Sequence, residues 1–325
     1  MKFSIIIPSY NGASRIKYCL DSIRNQNYPM DDYEVIVVDD CSPEPLESRV
    51  NQIVSDYPPQ FKYLIIRCKN NLKRGGALNV GFSAAKGEYL LNIDDDDAFT
   101  PDALKTISSY LDNNSVDVLM FEAYDNINGS IKKILHYKDN DTSIHSGKDF
   151  LNSQAISWTT WRYAIKKSFL TENNISFENN VFYEDVDFSL SCVALARQIA
   201  YLPFAAILYT IREGQLSKVG ASKDKIADLF RLAERIRRVS ENFDDERHDL
   251  ILNHYNFQMY VIISRYLWRL KENEIKDLLH EFNPHLKHKN KLTDFSFRHP
   301  EFYACMASVF APILTMVLKI RKSLR

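Results

Sequence analysis

The chain has 325 residues, 45% hydrophobic and 26% charged, which is ample material for a folded core. Its 41 lysines and arginines against 42 aspartates and glutamates leave a formal net charge of -1; there is no global basic field and no basic run interleaved with aromatics in the main body, so nucleic acid is not expected as a partner. Cys19, Cys41, Cys68, Cys192 and Cys305 are scattered and form no C-x-x-C pair, which argues against a disulfide scaffold or a zinc site and fits a reducing compartment.

In chain order, "MKFSIIIPSYNG" opens with an apolar run too short for a signal peptide, so a cytoplasmic protein is expected. "FSIIIPSY" reads as a strand. "RIKYCLDSIRNQ" reads as a helix with Ile16, Cys19, Leu20 and Ile23 on one face. A second strand, "YEVIVVDDCS", precedes a helix carrying Leu46, Val50, Ile53, Val54 and Tyr57, and "FKYLIIR" supplies a third strand. The Gly-bounded segment "RGGALNVGFSAAKG" leads into "EYLLNI". Strands without polar alternation, separated by helices, imply an α/β fold with a parallel sheet covered on both faces.

In such sheets ligands bind beyond the carboxyl ends of the strands. Three polar clusters fall there: "PSYN", "DDCS" and "DDDD", the last being Asp94 to Asp97. A carboxylate at this rim can accept the imide N–H of a nucleobase, and Tyr10 offers a ring to stack on it. The spacing Asp94-x-Asp96 lets two carboxylates approach one hard divalent cation, Mn²⁺ or Mg²⁺, that also holds a diphosphate. Solvated loop ends are the bland alternative for any one cluster.

The ordered set "FSIIIPSYNG", "LDSIRNQ", "VIVVDDCS", "NVGFSAAKGEYLLNIDDDD" and "FYEDVDFSLS" resembles the family 2 glycosyltransferases of the GT-A fold over about the first two thirds of the chain. The resemblance implies a Rossmann-like nucleotide-binding domain over 1–221, and the rest, 222–325, reads as a C-terminal helical region. It places Pro8, Tyr10, Asn11, Asp39 and Asp40 around the nucleoside. Asp94 and Asp96 become the ends of a D-x-D motif holding the cation, with Asp94 and Asp95 also beside the nucleotide. Asp185 becomes the catalytic base and Glu184 its support. Without the resemblance, the same two acids read as residues favoured by the dipole at the start of a helix running from Val186.

Two departures from the family pattern stand out. Ala77-Leu78-Asn79 stands where relatives carry Ala-Arg-Asn, leaving Arg74 or Lys73 to supply the missing cation, and "DDCS" stands for "DDGS", with Cys41 read as a packed small residue. After the strand "YLPFAAILYTI", the turn "REGQLSK" offers Arg212, Gln215 and Ser217 to the diphosphate, with Lys218 behind them; an ordinary exposed turn is the alternative. Trp158 and Trp161 are candidates to stack on an acceptor sugar, or they belong to the core.

From about Ser222 long helical patterns take over: "KDKIADLFRLAERIRRV" sets Ile226, Leu229, Ala233 and Ile236 along one face. The apolar segment from Phe302 to Leu318, followed by Lys319, Arg321, Lys322 and Arg325, reads either as an interfacial anchor on the inner face of the cytoplasmic membrane or as a docked helix. The function expected is metal-dependent, inverting transfer of a sugar from a nucleotide sugar, a UDP-sugar, to a glycan or lipid-linked acceptor in cell-surface polysaccharide synthesis. A nucleotidyltransferase and an inactive membrane-bound scaffold are the competing readings.

Overall fold

The computed structural model describes residues 1–56, 61–127, 129–134, 142–153, 156–212 and 223–255. The chain divides into two compact units, Met1–Gln215 and Leu216–Arg325.

The first unit begins with β1 (Phe3–Ser9), α1 (Ile16–Arg24), β2 (Tyr33–Asp39), α2 (Glu47–Ser55), β3 (Lys62–Arg67), α3 (Lys73–Ala84) and β4 (Tyr89–Asn92). It continues with β5 (Ala98–Phe99), α4 (Ala103–Asn113), β6 (Val118–Ile127), β7 (Ser130–Ile134), β8 (Ile144–His145) and α5 (Gly147–Ser153). A 3-10 turn over Thr160–Arg162 then leads to β9 (Tyr163–Lys166), α6 (Lys167–Glu172), α7 (Glu184–Leu195) and β10 (Ile199–Ile211). All these strands form one sheet in the order β3-β2-β1-β4-β9-β6-β10-β5, with β7 beside β6 and β8 beside β10.

The first four strands pair in parallel. Every residue of β1 and β2 is buried, as the unbroken apolar runs require of strands covered on both faces. β9 runs antiparallel to both β4 and β6, so beyond the first four strands the expected parallel sheet becomes a mixed one. From β1 the chain steps outward to β2 and β3, then returns to β4 on the other side of β1. That reversal opens a crevice at the carboxyl ends of β1 and β4. Pro8 falls past the last β1–β4 pair, Ile6 with Asn92, so its missing N–H costs the sheet no hydrogen bond there.

On one face Phe3, Ile5, Ile7, Val35 and Val37 pack against Ile16, Leu20 and Ile23 of α1, Val50 and Ile53 of α2, and Leu104 and Ile107 of α4. Each such side chain contributes about 1.5–3 kcal/mol on burial. α3 covers the other face and meets α7 through aromatic rings: Phe177 stacks on Phe188 at 3.8 Å, and Phe82 lies 5.8 Å from Phe177.

The core also holds an ion pair that no sequence pattern announced. Arg162 and Glu122 are both 0% exposed, with Nη2 to Oε2 at 2.6 Å. Arg162 Nε donates to the Phe121 carbonyl at 2.9 Å, and the Tyr201 hydroxyl donates to Glu122. Breaking such a pair by removing one partner typically costs about 3–5 kcal/mol.

In the second unit α8 (Lys223–Ser240) buries Leu229, Leu232 and Ile236. Ala233, expected on that face, is only half-buried, and the Ile226 side chain lies outside the described residues. Among the described residues no helix is long and apolar enough to cross a membrane. The segment 302–325 lies outside them.

Candidate active site

The three polar clusters expected at strand ends do meet at one rim, because β2, β1 and β4 are parallel neighbours. Their side chains serve more varied purposes than the sequence suggested. Asp39 is buried and spends both oxygens inside the protein: Oδ1 accepts from the Ser42 N–H at 2.8 Å, while Oδ2 accepts from the Leu46 N–H at 3.2 Å and from Arg67 Nη1 at 2.6 Å. Burial opposes its charge, but the Ser42 and Leu46 bonds and the Arg67 guanidinium together hold its carboxyl below the usual range. Asp39 thus fixes the turn into α2. Asp40 Oδ1 accepts from the Leu72 N–H at 2.7 Å and ties that turn to the start of α3. Burial first, and Asp39 second, raise the Asp40 carboxyl.

Cys41 is partly exposed rather than packed, with φ of 62°, the left-handed backbone that favours the glycine of the family pattern. Asn11 is also left-handed, and its N–H donates to Ser42 Oγ at 2.9 Å, joining the loops after β1 and β2. Tyr10, at 51% exposed, presents its ring at the rim.

The four aspartates alternate. Asp95 is buried and held by Ser9 Oγ and by Arg15, whose Nε and Nη2 each donate to it at 3.0 Å. Asp95, expected beside the nucleotide, thereby locks the loop after β1 against the acidic loop. Gly12 makes this approach feasible, since a Cβ there would stand 2.0 Å from Asp95 Oδ2. Asp97 is 0% exposed and accepts from the Thr210 N–H at 2.8 Å. Burial, then Asp94, push its carboxyl well up.

Asp94 and Asp96 are the two that reach the rim half-buried. Arg74 Nε donates to Asp94 Oδ1 at 2.8 Å, and Arg212 donates to Asp96 Oδ2 through Nε at 2.8 Å and Nη2 at 2.5 Å. Each of these carboxylates keeps a second oxygen without a hydrogen bond among the described residues. Two hard oxygen donors one residue apart fit a divalent cation that takes its other ligands from phosphate and water. Among the described residues no three acidic, imidazole or thiol groups converge.

Across the crevice α7 starts at Glu184, two residues before the sequence pattern suggested, after Tyr183 turns the chain with φ of 63°. Glu184 and Asp185 therefore occupy its first turn. Arg74 Nη1 lies 3.4 Å from Glu184 Oε1, so one guanidinium spans from Asp94 to the head of α7. Burial raises the Glu184 carboxyl and Arg74 partly offsets this. Asp185 is pushed up to about 8, by burial first and by the adjacent Glu184 second, with Arg74 opposing. The closeness of α3 to α7 depends on Gly75: a Cβ there would stand 2.9 Å from Glu184 Cγ and 3.0 Å from the Glu178 carbonyl. Gly75→Ala is expected to displace Glu184 and lower turnover by up to about 10²-fold with the fold retained, measured as kcat beside a circular dichroism melt.

Other expectations sort unevenly. Trp161 is buried in the core and stacks on Tyr209 at 5.3 Å, which favours the core alternative over an acceptor platform. Trp158 remains partly exposed. Of the two cations offered for the missing arginine, Arg74 enters the site, whereas Lys73 turns its ammonium over the Phe182 ring at 4.0 Å. Gln215 and Ser217 lie outside the described residues, as does Lys218. Sequence reasoning missed Ser9, Arg15, Asn92 and Thr160, all polar residues in ordinary strand-end or turn contexts with no spacing to mark them.

A sequence model described as glycosyl transferase family 2 matches residues 4–179. The chain is 28% identical over 266 residues to the poly(ribitol-phosphate) beta-N-acetylglucosaminyltransferase TarS of Staphylococcus aureus (strain Mu50 / ATCC 700699), covering 79% of this chain and 45% of that protein. It is 31% identical over 201 residues to a poly(ribitol-phosphate) beta-glucosyltransferase of Bacillus spizizenii, covering 62% of this chain and 31% of the relative. The chain thus spans less than half the length of either. Among solved structures, S. aureus TarS 1-349 in complex with UDP-GlcNAc superposes with a TM-score of 0.75 at 23% identity, covering 96% of this chain and 89% of that one. The mannosyltransferase PcManGT of Pyrobaculum calidifontis, in complex with GDP-Man and Mn2+, gives a TM-score of 0.53 at 16% identity, covering 95% and 86%. At these identities the superpositions show the GT-A fold.

Proposed function

Because the chain belongs to glycosyl transferase family 2, we propose that it moves a hexosyl or N-acetylhexosaminyl group, with inversion, from a UDP-sugar to a hydroxyl of a polyol-phosphate polymer or related glycan. The observation that carries this reading is the opposition of two half-buried aspartates, Asp94 and Asp96, at the switch-point rim to a carboxyl of raised proton affinity, Asp185, at the head of α7. The donor and the polymer are suggested by the relatives: TarS is a poly(ribitol-phosphate) transferase whose solved structure holds UDP-GlcNAc.

In this reading Tyr10 stacks on the base and the loops fixed by Asp39, Asp40 and Asp95 shape the nucleoside pocket. Asp94 and Asp96 would hold the cation, which when bound neutralises charge on the departing diphosphate. Asp185 accepts the proton of the acceptor hydroxyl as that oxygen bonds to the anomeric carbon, while the nucleoside diphosphate leaves from the opposite face. Arg74 stands beside Glu184 and partly offsets the rise that burial gives its carboxyl. No covalent nucleophile is required.

Thermal-shift binding of UDP, GDP, UDP-GlcNAc and UDP-glucose, each with and without Mn²⁺, tests the donor side. A uridine nucleotide at 100 times its dissociation constant is expected to add about 2.7 kcal/mol of stability when metal is present. A response confined to GDP would overturn the uridine assignment, and a metal-independent response would overturn the role given to the cation.

A further inference from the structure

Arg74 touches both halves of the site, and what holds it lies in no motif. Asn92 ends β4 and is 2% exposed; Thr160 opens the 3-10 turn and is 0% exposed. Thr160 Oγ1 stands 3.4 Å from Arg74 Nη1. With its amide turned so that both of its groups are satisfied, Asn92 donates to the Thr160 carbonyl at 3.1 Å and accepts from Arg74 Nη2 at 3.0 Å. Arg74 Nε already bonds Asp94, and Nη1 also faces Glu184. Every nitrogen of the guanidinium fork is therefore engaged, which is the arrangement that fixes the plane of an arginine.

The turn carrying Thr160 is itself anchored from behind. Trp161 stacks on Tyr209, and Arg162 is locked to Glu122 and the Phe121 carbonyl in the core. A buried amide and hydroxyl are costly unless partnered. Here they and the charged Arg74 satisfy one another, at the junction of the donor side with the head of α7.

We propose that Asn92 and Thr160 are positioning residues for sugar transfer, forming a buried polar cradle that sets Arg74 between Asp94 and Glu184. The cradle holds one spacing between the donor-side carboxylate and the helix end that bears the base. This rests on the transferase reading above.

The test uses the full chain with UDP-GlcNAc and Mn²⁺ as probe, following sugar transfer or sugar-nucleotide hydrolysis. Thr160→Val, which keeps shape and removes the hydroxyl, is expected to lower kcat about tenfold while KM for UDP-GlcNAc stays within about twofold; Thr160→Ser is expected to restore most of the loss. Unchanged kcat in a folded Thr160→Val protein, or equal losses in the Val and Ser variants, would overturn the proposal. A second arm needs no turnover: in the ¹⁵N-arginine spectrum, Arg74 is expected to give separate Nη signals through hindered rotation, collapsing to an average in Thr160→Val and in Asn92→Leu. Averaged Nη signals in the parent protein would overturn the cradle. Separate signals in a parent that neither binds nor turns over any nucleotide sugar would support the cradle and count against the transferase reading.

Discussion

An Asp185→Asn protein is expected to bind the nucleotide sugar as the parent does and to transfer sugar about 10²–10⁴ times more slowly. The amide is isosteric, so the first turn of α7 and its packing through Phe188 are preserved, but it cannot take the acceptor proton. Glu184 does not stand in for it, because its carboxylate faces the Arg74 guanidinium. The measurements are donor affinity by thermal shift and kcat with a saturating donor. Near-normal transfer in a variant that binds donor would assign the proton to another group.

Asp185 is also expected to set a pH dependence in which activity and stability run in opposite directions. Its carboxyl is pushed up to about 8 in the protein, by burial first, then by Glu184, whereas in the unfolded chain it returns to the usual aspartate value near 3.9. Between those values the folded protein holds a proton that the unfolded chain has released, so this group's stability contribution is full below about pH 4 and is lost as pH rises through about 8. With Asp185 as the base, transfer is expected to follow the deprotonated form and to climb over the upper part of the same window. Asp185→Asn is expected to remove both trends and, at pH 9, to be more stable than the parent by about 1–2 kcal/mol, allowing for partial solvent screening and for coupling to Glu184. A parent and variant with identical melting profiles from pH 5 to 9 would show that the carboxyl titrates in the ordinary range.

The strands were legible because β1 and β2 are buried on both faces and so read as unbroken apolar runs. The rim was legible because three parallel strands ended in polar clusters. What each aspartate does was not, since "DDDD" carries no periodic signal. The turn closed by the Asp97 N–H on the Asp94 carbonyl decides which side chains face in, and their partners come from far along the chain: Arg15 for Asp95 and Thr210 for Asp97. Arg74 and Lys73 were equivalent as letters. They separate only because Lys73 adopts φ of 58° and stacks on Phe182, leaving Arg74 directed into the crevice. Trp158 and Trp161 show the same limit, for an aromatic residue in a turn does not state which side of the backbone is covered.

The same sorting of the aspartates makes the cation's role testable. Asp96→Asn is expected to lower metal-stimulated turnover by about 10²-fold or more while leaving the melting temperature nearly unchanged. Asp96 is half-buried and its hydrogen-bond partner among the described residues is Arg212, an exposed residue, and such a pair contributes at most about 1 kcal/mol to the fold. Asp95→Asn is expected to behave in the reverse sense, losing stability first, because it weakens the paired bonds from Arg15 and the bond from Ser9 that lock the two loops. Measuring turnover against added Mn²⁺ together with thermal melts for both variants separates the roles. Full activity of the parent in excess chelator would remove the cation from the mechanism, and would leave the arginines as the positive charges facing the leaving diphosphate, since Arg74 and Arg212 already stand on the two carboxylates that a metal would occupy.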